Sequence, residues 1–144
     1  MQMYDAFLKA ADFIEQNPRR LNMTVTTKPS GGDDQGCALA WAGAFAGKNF
    51  SHADDLLRFT PHSSFHRFLA TLYALVPSVR ADDRFVPQAM RAYANAYLKD
   101  FVPAVACIQR LDSLVSPVFT ELPRSVMQIF DTGVFAKEFE KVAA

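Results

Sequence analysis

The stretch GGDDQGCALAWAGAFAG, residues 31–47, decides the fold, because a loop rich in glycine and aspartate gives way there to an apolar run. Residues 37–46 carry no polar face, and a helix of that kind belongs at the centre of a folded domain. Gly47 suits the carboxyl end of such a helix. We therefore predict a buried central helix that begins beside Cys37 and follows a mobile loop over 28–36.

An amphipathic helix is predicted to open the chain. Its apolar residues recur at helical spacing and form a stripe of Tyr4, Phe7, Leu8, Ala11 and Ile14. Asn17-Pro18 ends it, because the residue before a proline is pushed out of the helical region. The segment 21–27 then alternates as a strand does, and it fits either one strand or an extended surface arm.

Prolines divide the rest of the chain into short segments, which favours many short helices over a bundle of long ones. Pro77 is predicted to end one of these helices, with residues 78–84 as a connector. Helices are predicted to begin at Ser51, Thr60-Pro61, Pro87, Pro103, Pro117 and Pro123, and a last helix carries Val134, Phe135, Phe139 and Val142.

Length and composition fit one globular domain, since the chain has 144 residues and 50% of them are hydrophobic. The predicted fold class is all-α: a single irregular domain over residues 1–144, with about six to eight short helices and one possible strand near 21–27. The thirteen phenylalanines indicate an aromatic core or an apolar face kept for a partner.

The charge pattern does not favour nucleic acid as a partner, because fifteen basic residues balance fifteen acidic ones and form no basic stripe. The first residues do not resemble a signal peptide, and the longest apolar run, 37–46, is about half a membrane span. Two distant cysteines make neither a disulfide scaffold nor a metal motif. We expect a cytoplasmic protein with reduced thiols, no membrane anchor and no cofactor.

Cys37 is the candidate nucleophile, because the amino end of a helix lowers the pKa of a thiol. The stretch QGCALAW, residues 35–41, resembles the segment around the nucleophile of papain-like cysteine peptidases. That family places its histidine on a downstream strand, whereas the three histidines here fall within 52–66. The enzymatic hypothesis pairs Cys37 with His66 and Asp54, and the other candidates for those two roles are His52, His62 and Asp55. The alternative is a small buried hydrophobic residue.

The histidines also raise the question of a metal site. His62 and His66 are four residues apart, so one helix face could present both, with His52 and a carboxylate nearby. The segment HSSFH lacks the internal glutamate of a zinc-peptidase motif. Solvated surface histidines explain the pattern more simply, and no metal site is predicted.

Three segments together resemble an uncharacterised family of small bacterial and phage proteins with a Cys-Ala-Leu-Gly-type motif. They are AFLKAADFIEQNP (6–18), GCALAWAGAFAG (36–47) and RAYANAYL (91–98). This chain has Ala40 where that motif has glycine. The resemblance implies no reaction, and it favours a phage or mobile-element accessory protein that binds a host protein.

The leading functional hypothesis is a non-enzymatic protein-binding module that inhibits or regulates its partner. Its predicted contact residues lie in the polar loop and in the carboxy-terminal helices: Asp33, Asp34, Gln35, Phe119, Phe130, Phe135 and Phe139. A hydrolase or transferase that uses Cys37 is the first alternative. A homodimeric structural or regulatory protein, with some phenylalanines at a two-fold interface, is the second.

Overall fold

The computed structural model describes residues 2–53, 62–99 and 133–143, and in those ranges every regular element is a helix. The predicted all-α class is confirmed there. The elements are α1 (Met3–Gln16), a 3-10 turn (Pro18–Arg20), α2 (Ala38–Phe45), α3 (His62–Leu75), α4 (Pro77–Ala81), α5 (Phe85–Tyr93), a π-helical segment (Ala94–Leu98) and α6 (Gly133–Ala143). None of these helices is long and apolar enough to cross a membrane.

Helix α1 packs its apolar face against both α2 and α5. It ends where the sequence predicts, and the backbone N–H of Asn17 donates to the Phe13 carbonyl at 2.9 Å. Arg91 on α5 lies 2.7 Å from Asp12 and also contacts Glu15, which fastens the outer sides of the two helices. The buried face of α1 consists of Ala6, Phe7, Ala10, Ala11 and Ile14.

The core contains a group of rings that we call the buried ring cluster, composed of Phe7, Phe65, Tyr93 and Tyr97. Phe65 and Tyr93 stack with their ring centroids 4.2 Å apart, and the Phe7 centroid lies 5.1 Å from that of Tyr93. All four side chains are buried. Because each ring meets another ring at close range, this cluster joins α1, α3 and α5 into one core.

Two helix boundaries differ from the prediction. Residues 78–84 were expected to connect, but Pro77 instead occupies the first turn of α4, where its fixed φ suits a new helix. Helix α5 begins at Phe85, two residues before Pro87, and the π-helical segment continues it to Leu98. The predicted last helix is confirmed as α6. The helices predicted from Ser51, Pro103, Pro117 and Pro123 extend into or lie in residues outside the described ranges.

The segment 21–27, which we call the arm, contains a turn at its centre, where the Val25 N–H donates to the Asn22 carbonyl at 3.0 Å. It forms single bridges at its two ends, a parallel one from Leu21 to Gly36 and an antiparallel one from Thr27 to His52. No regular strand occurs within the ranges that the structure describes, so the possible strand near 21–27 is not present there. The arm lies alongside the start of α2, because the backbone N–H of Cys37 donates to the Val25 carbonyl at 2.7 Å.

Candidate functional site

Cys37 sits at the N-cap of α2, in the core. Its Sγ accepts a hydrogen bond from the backbone N–H of Ala40 at 3.4 Å, so the thiol satisfies one of the free donors of the first turn. Its exposed fraction is 0%. A thiol placed in this way caps the start of the helix and packs in the core. This agrees with the alternative prediction that Cys37 is a small buried hydrophobic residue.

The other members of the enzymatic hypothesis are only partly described. His66 is half-buried on α3, and His52 is exposed with Nδ1 3.5 Å from Thr26 Oγ1. Asp54 and Asp55 lie outside the described residues, as does the side chain of His62. The dyad of Cys37 and His66, oriented by Asp54, therefore stays a prediction. Across 2–53, 62–99 and 133–143, no group of three His, Cys, Asp or Glu residues could hold a metal ion.

The loop over 28–36 is held by hydrogen bonds, in contrast to the mobile loop expected from its composition. Asp34 Oδ2 accepts from the Ser30 backbone N–H at 2.9 Å and from its hydroxyl at 2.7 Å. The Asp34 carbonyl accepts from Arg20 Nε at 2.6 Å. The backbone bond from Ser30 and then its hydroxyl bond lower the pKa of Asp34. Desolvation opposes them, and the charge of Arg20 adds a weaker lowering effect.

Gln35 makes a second contact between this loop and the 3-10 turn, in addition to that of Arg20 with Asp34. Gln35 Nε2 donates to the Arg19 carbonyl at 2.8 Å, and Asn22 Nδ2 donates to Gln35 Oε1 at 3.1 Å. Asp33, Asp34 and Gln35 are nevertheless all exposed. The three residues predicted to contact a partner therefore form an exposed edge. Arg20 holds the Asp34 backbone of this edge, and Arg19 holds its Gln35 side chain.

A second group of rings lies at the surface between α1 and α2, and the sequence analysis did not identify it. Phe13 lies 4.5 Å from Trp41 and 5.7 Å from Phe45, measured between ring centroids. Phe13 and Phe45 are half-buried, and Trp41 is almost wholly buried. One signal was available: Phe13 falls outside the apolar stripe of the first helix, so its ring needs another cover.

That cover comes from two cations. The Arg20 guanidinium lies 5.3 Å from the Phe13 ring centroid and 5.1 Å from that of Trp41, while Lys9 Nζ lies 5.4 Å from the Phe45 centroid. Such positions over a ring face are attractive. We call the group of Phe13, Trp41 and Phe45 with Lys9 and Arg20 the cation-capped ring cluster.

Backbone contacts fix the position of this cluster relative to the loop. Trp41 Nε1 donates to the Arg20 carbonyl at 3.0 Å, and the same carbonyl accepts from the Gly36 N–H at 3.0 Å. Gly36 allows this close approach, since a Cβ there would lie 3.2 Å from Trp41 Nε1 and the indole would have to shift. The exposed edge and the cation-capped ring cluster are therefore two parts of one surface, joined through Arg20.

Among the described residues, the cations of this surface form no ion pair, although the charge of Arg20 acts on the Asp34 carboxylate. The ion pairs among the described residues involve Arg84, Arg91 and Lys141 as the cations. Within the described part of the chain, therefore, no carboxylate lies within ion-pair distance of any basic residue of the first range, namely Lys9, Arg19, Arg20, Lys28 and Lys48. Arg91 engages Asp12 and Glu15, two of the acids on α1.

The carboxy-terminal rings are described only in part. Phe139 is 7% exposed, and its ring centroid lies 5.2 Å from that of Phe85, so this side chain packs within the chain. Phe119 and Phe130 lie outside the described residues, and so does the side chain of Phe135. Contact of these four rings with a partner stays a prediction.

Comparison of this chain with protein-family models, with curated proteins and with solved structures found no match. The resemblance to the family with the Cys-Ala-Leu-Gly-type motif therefore stays a prediction.

Proposed function

We propose that the chain is a non-enzymatic protein-binding module and that the exposed edge of Asp33, Asp34 and Gln35 contacts the partner. The observation that carries this proposal is the exposure of that edge together with the hydrogen bonds from Ser30 and Arg20 that fix it. A loop held in one conformation loses less entropy on binding than a flexible one. Polar loops held by a rigid scaffold are common binding elements.

A crosslinking experiment tests the proposed contact. We replace Asp33 with a photo-crosslinking phenylalanine analogue and, as the matched control, Arg84 in the exposed turn before α5. After irradiation in a lysate of a candidate host cell, position 33 should give one dominant adduct that position 84 does not give. Adducts that are equal at both positions, or absent from both, would contradict the proposal.

The mass of the adduct separates the alternatives. An adduct with a host protein fits an accessory protein that inhibits or regulates a host partner, the concrete form that the sequence resemblance favours. An adduct of twice the mass of the chain would instead favour the homodimer, and light scattering of the purified protein would check it.

The burial of Cys37 supports the non-enzymatic proposal over the hydrolase or transferase, because a nucleophile has to be reached by its substrate. With Cys107 replaced by serine, alkylation of Cys37 should be slow in the folded protein and should accelerate on unfolding in urea. Fast alkylation in the folded state, with a thiol pKa well below about 8.5, would favour the enzyme. Variants of His52, His62 and His66 would then be assayed.

A further inference from the structure

We infer that the cation-capped ring cluster is a docking site for an acidic protein segment that carries an apolar side chain. The inference rests on the proposed binding function and names the chemical class of the partner. It concerns α1 and α2, whereas the proposed function rests on the loop.

The floor of the site is apolar. Phe13 and Phe45 are half-buried, with their ring centroids 5.7 Å apart, and Trp41 lies behind them. Half-buried rings in mutual contact leave apolar surface that an aliphatic or aromatic side chain can cover. Rings of this kind, with arginine, are enriched in protein–protein interfaces.

The rim of the site is cationic. Lys9 lies over the Phe45 ring, and Arg20 lies over the rings of Phe13 and Trp41. In the described residues the Arg20 side chain makes one hydrogen bond, through Nε, and a guanidinium has several further N–H donors. The bond from Nε to the Asp34 carbonyl holds the guanidinium in place before a ligand arrives.

The positive charges of Lys9 and Arg20 indicate an acidic partner. Neither Lys9 nor Arg20 is in an ion pair with any residue in the described ranges. Carboxylates are the protein groups that pair with these cations, and arginine can bind a carboxylate through two donors. An acidic segment with one apolar side chain would meet both the rim and the floor.

A nucleic acid would also meet cations and rings, but it needs more positive charge than this surface has. Its affinity comes mainly from many phosphate contacts, and it is typically bound by a continuous basic groove. Here the chain has no net charge, and the site offers the two cations Lys9 and Arg20 instead of a continuous basic groove. The observations therefore favour a protein segment.

The first test is selection from a random-peptide display library on the immobilised full chain. Peptides that combine Asp or Glu with an aliphatic or aromatic residue should be enriched. The same selection on Lys9→Glu should lose them, whereas Lys99→Glu should keep them. Lys99 is exposed beyond the π-helical segment, and the two variants change the net charge equally. Enrichment of neutral or basic peptides, or of none, would overturn the inference.

The second test measures affinity with a synthetic copy of the enriched peptide made without tryptophan. The chain has one tryptophan, and Trp41 lies in the site, so its emission reports occupancy directly. Lys9→Glu should weaken binding by about tenfold, because an ion pair becomes a repulsion, and Lys99→Glu should change it less than about twofold. Binding should also weaken as salt is added.

Three results would overturn the inference. The first is equal weakening by Lys9→Glu and Lys99→Glu. The second is tighter binding of a single-stranded oligonucleotide than of the peptide, which would assign the surface to nucleic acid. The third is a dimer of the chain that Lys9→Glu dissociates, which would assign the surface to a second copy.

The two proposals can fail separately. If position 33 crosslinks the same partner in the parent chain and in Lys9→Glu with equal yield, the proposed function stands and the acidic-segment inference fails. If position 33 gives no adduct while the acidic peptide binds at Trp41, the loop contact fails and the docking site stands.

Discussion

The two ring clusters use the same chemistry for opposite purposes. In the buried ring cluster Phe65 and Tyr93 stack at 4.2 Å, and in the cation-capped ring cluster Phe13 and Trp41 meet at 4.5 Å. The difference lies in what covers them. Rings cover rings in the first cluster, whereas Lys9 and Arg20 cover part of the second.

This difference shows how the chain can carry so many aromatic residues without hiding all of them. A long basic side chain shields a ring with its aliphatic stem and keeps its charge in water. Removing a ring from the core should therefore damage the fold, while changing the cover of the surface cluster should alter recognition more than stability.

The largest effect is expected from Phe65→Ala. Its side chain is 1% exposed, so the substitution removes a core ring and leaves a cavity that costs about 3–5 kcal/mol of unfolding free energy. Phe13→Ala, at a half-buried position, should cost less than about 2 kcal/mol. Urea unfolding followed by circular dichroism measures both. Equal losses would show that the surface cluster is as much a part of the core as the buried one.

Gly36→Ala should have the next largest effect, because the new Cβ would lie 3.2 Å from Trp41 Nε1 and would push the indole away from Arg20. We expect a loss of about 1–3 kcal/mol and a shift in tryptophan emission. Gly32→Ala is the control, since a Cβ there meets nothing within 4 Å, although its φ of +60° adds some strain. The tryptophan emission of Gly32→Ala should match that of the parent chain. If both variants shift the emission equally, contact of the new Cβ with the indole is not the cause.

Asp34→Asn should act on the pH dependence of stability. The hydrogen bonds from Ser30 lower the pKa of Asp34 in the folded state. The ionised Asp34 carboxylate therefore stabilises the fold at pH values above the ordinary aspartate pKa. That contribution is lost as pH falls through the lowered folded value. Asp34→Asn should therefore flatten the stability curve between about pH 5 and pH 2. Asp33→Asn is the matched control, and its curve should follow that of the parent chain.

The smallest effect on stability is expected from Lys9→Met. The aliphatic cover over Phe45 remains and only the charge is removed, so the unfolding free energy should change by less than about 1 kcal/mol. Binding of the acidic peptide should fall nonetheless. A larger loss of stability, measured by urea unfolding, would mean that Lys9 serves the fold.

Local signals in the sequence were enough to predict the helices that meet at the site. The stripe on α1, the proline after Asn17 and the apolar run after Cys37 depend on neighbours within a few residues. Pro77 marks the end of α3 at Leu75 as predicted. The segment after it was misread, because a proline that ends one helix can also begin the next, and here it begins α4.

The candidate site could not be predicted in the same way, because its contacts join residues distant in sequence. Arg20 reaches the Asp34 carbonyl across 14 positions, and Trp41 reaches the Arg20 carbonyl across 21. Nothing in the local pattern NPRR distinguishes a solvated arginine from one stacked on two rings. The composition of the loop likewise indicated its exposure and not the bonds that hold it.

The packing of α1 has a consequence for synthesis of the chain. Helix α1 is made before α5, yet Arg91 lies 79 positions after Asp12 and Asn95 lies 91 positions after Tyr4, where the Tyr4 hydroxyl donates to Asn95 Oδ1 at 3.3 Å. A nascent chain that has reached only α4 can pair α1 with α2 and lacks its contacts with α5. Helix α1 therefore completes its packing only after the ribosome has made residues 85–98.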